Sequence, residues 1–156
     1  WIMEKIPEEA KYQVVHFNEK ANYVLPDTEE IWLDGSNDQN RERTQATLKK
    51  VAPSGGTSLY HAFSVISSLS PMPDNVYLLV DSLPTMNRKV PKKYTISSQD
   101  RRDYFRKSVS SLPENVPPIN VILFPMEADP YAPIEYWELA DKTGGSFTQP
   151  QKDWPR

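Results

Sequence analysis

The acidic side chains best placed for chemistry stand directly after apolar runs. Asp81 closes NVYLLV (75–80), while Glu127 and Asp129 follow INVILFPM (119–126). A carboxylate at a strand end can ligate an ion, and it can equally cap the turn it opens, because aspartate favours turns. For Asp81, which begins DSLPT, both readings stand. Glu127 and Asp129 would form an acid and base pair if a pocket held their carboxyls roughly 5 to 10 Å apart, as glycoside chemistry requires. Nothing in the sequence sets that spacing, and a solvated loop is the simpler reading. In SGGTSLYHAF (54–63), Thr57 and Ser58 stand where helix N-caps stand, and Gly55 and Gly56 permit a tight backbone approach. Taken alone, this is a capped helix, a feature that contributes about 1 kcal/mol.

Other polar clusters carry less. DGSND (34–38) places Asp34, Ser36, Asp38 and Asn40 in the alternation that begins a calcium loop. Such a loop wants glycine at its sixth place and glutamate at its twelfth, where this chain has Gln39 and Gln45, so a solvated turn is expected. His16 and His61 have no cysteine or spaced carboxylate to complete a zinc set and are expected to be structural. Arg88, Lys89, Lys92 and Lys93 form a solvated basic loop that could also recognise an acidic partner.

The elements that must position these groups follow from periodicity. KYQVVHFN and ANYVLP are β-rich and close enough for a hairpin. Helical spacing appears over 41–51 with a thin apolar face, and over 58–69 with Leu59, Ala62, Phe63, Ile66 and Leu69 inward. NVYLLV and INVILF are continuous apolar runs, the signature of strands covered on both faces. Between them a polar helix over 98–112 turns Tyr104, Phe105, Val109 and Leu112 inward. A helix over 134–142 presents Ile134, Trp137 and Leu139, and TGG ends it before a last strand in SFTQ. The first ten residues match the end of a helix stopped near Pro7. Strands alternating with helices call for a mostly parallel sheet with helices on both faces, whose ligands gather at the carboxyl ends of the strands.

Composition narrows the classes. The chain has 156 residues, 38% of them hydrophobic, which suits one domain over 1–156. A formal net charge of −3 argues against a nucleic-acid partner. The absence of cysteine excludes disulfides and thiolate sites. No apolar run approaches the roughly 18 residues of a membrane span.

In order along the chain, VVHFN, the SGGTSL loop opening a helix, LLVDSLPT, NVILFPME and LADKTGGSF resemble the von Willebrand factor type A domain. The resemblance covers nearly the whole chain. It implies an α/β fold, doubly wound, with strand order 3-2-1-4-5-6, and a metal-ion-dependent adhesion site at its loop end. That site takes an Asp-x-Ser-x-Ser loop after the first strand, a threonine from the GGT loop and an aspartate after the fourth strand. Thr57 and Asp81 match the last two as metal ligands, and Gly56, Ser58 and Ser82 would form the partner-binding rim. Ser82 replaces the family's usual glycine. The first strand and its Asp-x-Ser-x-Ser loop have no counterpart here, and the expectation is that an upstream segment supplies them.

The resemblance therefore implies a protein-binding or adhesion module without enzymatic activity. Mg²⁺, or Mn²⁺ or Ca²⁺, would bridge the site to a carboxylate of a protein partner. The alternatives are a scaffold of the same fold without metal and, on the strand-end acids alone, a metal-dependent hydrolase using Asp81, Glu127 and Asp129.

Overall fold

The computed structural model describes residues 2–92, 95–124 and 129–151. Lys93 and Glu127 lie outside the described residues, as does the loop that Pro125 begins. Three short sheets are present among the described residues. β1 (Lys11–Tyr12) pairs antiparallel with β4 (Leu33–Asp34). β2 (Val15–Phe17) and β3 (Ala21–Tyr23) form the expected hairpin, with His16 opposite Asn22. β5 (Val76–Val80), β6 (Ile119–Leu123) and β7 (Phe147–Thr148) form a parallel sheet in that order, with Leu79 beside Ile122 and Ile122 beside Thr148.

The helices are α1 (Asp38–Leu48), α2 (Leu59–Ser68), α3 (Ser98–Val109) and α4 (Ala132–Thr143). α3 and α4 are the crossovers that parallel pairing of β5, β6 and β7 requires. Each begins and ends for a local reason. Ser97 and Asp100 form a reciprocal capping box at the start of α3. Gly144, at φ +72°, ends α4 in the left-handed conformation, and the N–H of Gly145 donates back to the Ala140 carbonyl at 2.8 Å.

The main core lies on one face of the parallel sheet. Leu78 and Val80 of β5 and Ile119, Val121 and Leu123 of β6 pack with Leu59, Phe63 and Ile66 of α2, Phe105 of α3, and Tyr136, Leu139 and Ala140 of α4. Burying side chains of this size contributes about 1.5 to 3 kcal/mol each, before the entropy of ordering them is counted. A smaller cluster of Tyr12, Leu25 and Leu33 lies beneath the N-terminal segment. There the Arg41 guanidinium donates to the carbonyls of Gly35, Met3 and Ile6.

Several local expectations are corrected. The N-terminal segment forms only a 3-10 turn, Ile2–Lys5. The β-rich run over 11–17 breaks at Gln13, whose amide donates to the carbonyls of Thr28 and Ile31 while its Oε1 accepts from Val14 N–H. In α4, Ile134 and Trp137 point outward, and Tyr136, Leu139 and Ala140 provide the buried side. The apolar run of β5 is covered on one face by the described residues, since Tyr77 is 58% exposed and Leu79 46%.

Two sheet edges are also open among the described residues. β5 hydrogen-bonds β6 through Val76 N–H and Val80 C=O, so the backbone groups of Tyr77 and Leu79 point away from that pairing. β2 bonds β3 through the pairs flanking His16, which turns the backbone of Val15 and Phe17 to its other edge.

Candidate functional site

Three loops meet at the carboxyl ends of β2 and β5. The loop after β2 carries Asn18 and Glu19, and the Asn18 carbonyl accepts from Ser58 N–H at 2.8 Å while Glu19 Oε1 accepts from Gly56 N–H at 3.3 Å. The loop after β5 returns to the same place. Thr57 C=O accepts from Thr85 N–H at 3.0 Å and from Met86 N–H at 3.2 Å, and Thr57 N–H donates to Thr85 Oγ1 at 2.8 Å. Thr57 is thus tied through its backbone to the loop that Asp81 begins. Its hydroxyl has no hydrogen-bond partner among the described residues.

Gly56 is needed here for close approach. A Cβ at this position would lie 3.0 Å from Thr85 Oγ1 and 3.3 Å from Met86 Sδ. The absent side chain therefore makes room for the neighbouring loop of the same chain.

Ser58 and Ser82, expected at the rim, are both buried. Ser58 is the N-cap of α2, accepting from His61 N–H at 3.3 Å and donating its hydroxyl to the Asn87 carbonyl at 2.7 Å. Ser82 donates its hydroxyl to Asp81 Oδ1 at 2.9 Å, and its carbonyl accepts from the Tyr136 hydroxyl at 2.9 Å. Both hydroxyls are thus engaged by partners within the chain. Asp81 itself is exposed, at the end of a strand held in the core by Leu78 and Val80.

The residues after Asp81 are held by groups far from them in sequence. Leu83 N–H donates to Asp129 Oδ2 at 2.6 Å, and Leu83 C=O accepts from Arg101 Nε at 3.2 Å and Nη2 at 2.7 Å. Arg101 Nη1 lies 3.5 Å from Asp129 Oδ2. Leu83 is thereby clamped at both its N–H and its C=O by an ion pair drawn from α3 and from the approach to α4. Asp129 is buried, and its Oδ1 has no partner among the described residues. Burial pushes the phenol of Tyr136 well above the ordinary tyrosine range, and the charges of Asp129 and Asp81 push it the same way, against Arg101. Asp129 was legible only as a strand-end acid, because its partners lie far from it in sequence.

The other polar clusters are structural. Asp34 Oδ1 accepts from the N–H and hydroxyl of Ser36 at 2.8 and 2.7 Å, and Asn37 caps α1, so DGSND is a turn leading into a helix. Those same bonds hold the Asp34 carboxyl below its usual range. His61 Nε2 meets the Arg88 carbonyl at 3.2 Å, and the Arg88 guanidinium lies 4.4 Å from the centre of the Tyr60 ring. No group of three His, Asp or Glu side chains able to hold a metal ion is found among the described residues. No helix among them is long and apolar enough to cross a membrane.

No protein-family model matches the sequence, and no curated protein does. Among solved structures, the chain is similar to one titled von Willebrand factor type A from Catenulispora acidiphila, at a TM-score of 0.63 and 17% identity. The match covers 96% of this chain and 32% of that one, so the chain spans about a third of that protein's length. The fold is therefore that of a von Willebrand factor type A domain, α/β with a parallel sheet.

Proposed function

With that fold as premise, we propose that the chain is a protein-interaction module whose contact surface is the loop end of its sheet. Asp81 and the hydroxyl of Thr57 are its recognition groups. The supporting observation is that the loops on either side of this surface are tied to each other by Thr57, Thr85 and Met86, while the Asp81 carboxylate stays exposed. A surface held in this way loses little freedom on binding, which favours association.

Mg²⁺ takes about six oxygens in an octahedron. Thr57 and Asp81 offer one hydroxyl and one carboxylate, and Asp129 is already engaged by Leu83 and Arg101. These donors do not by themselves fit a resident Mg²⁺, Mn²⁺ or Ca²⁺. The recognition chemistry assigned to them is therefore direct, with Asp81 accepting hydrogen bonds from a cationic or amide group of the partner. A scaffold role without metal also has support, since Ser58 and Ser82 are absorbed into the fold. We assign no enzymatic activity, since Asp129, one of the acids a hydrolase would need, is clamped in the interior by Leu83 and Arg101.

The test compares the wild-type protein with Asp81→Ala and Thr57→Val in two assays. In capture from extracts of the source organism, partners retained by the wild type are expected to be lost with Asp81→Ala, and an unchanged set would refute the reading. In calorimetric titration with Mn²⁺, the two variants are expected to match the wild type. A tight wild-type signal that disappears in both variants would instead establish the cation bridge.

A further inference from the structure

Independently of that reading, we infer that the space between β2 and β5 is a slot that receives an extended, apolar β-strand of a partner polypeptide. Among the described residues β5 pairs only with β6, and β2 only with β3. Tyr77 and Leu79 therefore turn their N–H and C=O groups to the open edge of β5, and Val15 and Phe17 turn theirs to the open edge of β2. No other backbone bond reaches these four residues among the described residues.

The two strands stand over one helix. Phe17 of β2 and Leu78 and Val80 of β5 join the same core, against Leu59, Phe63 and Ile66 of α2. A helix is about 10 Å across with its side chains, close to two strand spacings of about 4.8 Å. At the loop end that width is already filled by one backbone. Ser58 N–H donates to the Asn18 carbonyl after β2, and Thr57 C=O accepts from Thr85 and Met86 in the loop after β5. Hydrogen-bonded backbones lie about 4.8 Å apart, so the segments on either side of Thr57 and Ser58 are separated by the width of one strand.

The chemistry of the slot identifies its occupant. Each edge offers N–H and C=O groups at every second residue, a repeat of about 6.8 Å that an extended polypeptide matches. A helix bonds its own backbone and has no such groups to give. Open edges are normally blunted by lysine or proline, yet VYLLV in β5 and VHF in β2 contain neither, and both pair in regular register without a bulge. The occupant is apolar because alternate side chains of an inserted strand would face α2, while the others would lie beside Tyr77 and Leu79, which are 58% and 46% exposed. β-branched residues suit such a position best.

Amide hydrogen exchange followed by NMR tests this while a synthetic peptide of alternating valine and threonine, flanked by lysines, is titrated into the protein. The amides of Val15, Phe17, Tyr77 and Leu79 are expected to exchange freely in the chain alone and to slow at least about tenfold with the peptide. The same peptide with a central proline, which lacks the ladder N–H, is expected to give no protection. Leu79→Pro removes a donor of the slot without touching the bonds from β5 to β6. It is expected to weaken peptide binding at least about fivefold with an unchanged circular dichroism spectrum. Asp81→Ala, which removes the recognition carboxylate proposed above, is expected to leave the protection intact. Amides already protected in the chain alone, or unaffected by the peptide, overturn the inference. Equal protection by the proline peptide does so too, as does protection of one strand only, which marks pairing at a single edge.

Discussion

The two walls of the candidate site are held by opposite means. The wall formed by residues 54–58 is fixed mainly by neutral hydrogen bonds, from Thr57 to Thr85 and Met86 and from Ser58 to Asn18 and Asn87, with the Glu19 carboxylate adding one longer bond from Gly56 N–H. The wall after Asp81 is fixed chiefly by an ion pair, with Asp129 on the N–H and Arg101 on the C=O of Leu83, joined by the Tyr136 hydroxyl on the carbonyl before it. Neutral bonds to backbone contribute modestly and independently. A buried charge depends on its partner, and losing the partner leaves an uncompensated ion in a poor solvent. The loop carrying Asp81 is therefore the wall more sensitive to single changes, and Asp81 itself contributes to it only by accepting the Ser82 hydroxyl.

Breaking the charged wall should have the largest effect. Arg101→Ala leaves Asp129, whose side chain is 1% exposed, without its counter-ion, and should cost about 3 to 5 kcal/mol in urea unfolding. A loss under 1 kcal/mol would show that the clamp is not what holds this wall.

Tyr136→Phe removes the bond to Ser82 C=O and should cost about 1 to 3 kcal/mol. It also has a pH signature. The phenol is raised in the folded state, so its contribution is complete below about pH 10, where an unfolded tyrosine ionises, and declines as pH rises above that. Stability of the wild type should therefore fall more steeply than that of Tyr136→Phe above about pH 10, and parallel curves would contradict the assignment.

On the neutral wall, Ser58→Ala should cost only about 1 to 2 kcal/mol, through loss of the cap of α2. A cost equal to that of Arg101→Ala would erase the contrast between the walls. Asp81→Ala should change stability by about 0.5 kcal/mol or less, since the carboxylate is exposed, and thermal unfolding beside the capture assay separates its binding role from any structural one.

How much was legible can be followed through particular residues. The helix over 58–69 was placed with its cap and its buried face, because Ser58, Leu59, Phe63 and Ile66 carry a local signal of cap and period. The order of strands and crossovers was legible for the same reason. The phase of α4 was not. Ile134 and Trp137 are as apolar as Tyr136 and Leu139, and only the position of β6 decides which side is covered. At the site, Thr57 and Asp81 were found from motif and order, whereas the burial of Ser58 and Ser82 depended on Asn87 and Tyr136, partners 29 and 54 residues away.

By itself, then, the sequence determined the order of the main helices and strands, the parallel pairing that their alternation demands, and that a carboxylate and a hydroxyl stand at the loop end, because these follow from periodicity, caps and turns within a few residues. Only the tertiary structure decided that Gly56 makes room for Thr85, that Asp129 and Arg101 clamp Leu83, and that an apolar row on α4 faces water. Those outcomes depend on which distant groups share a small volume, and burial, charge pairing and exposure are properties of that volume.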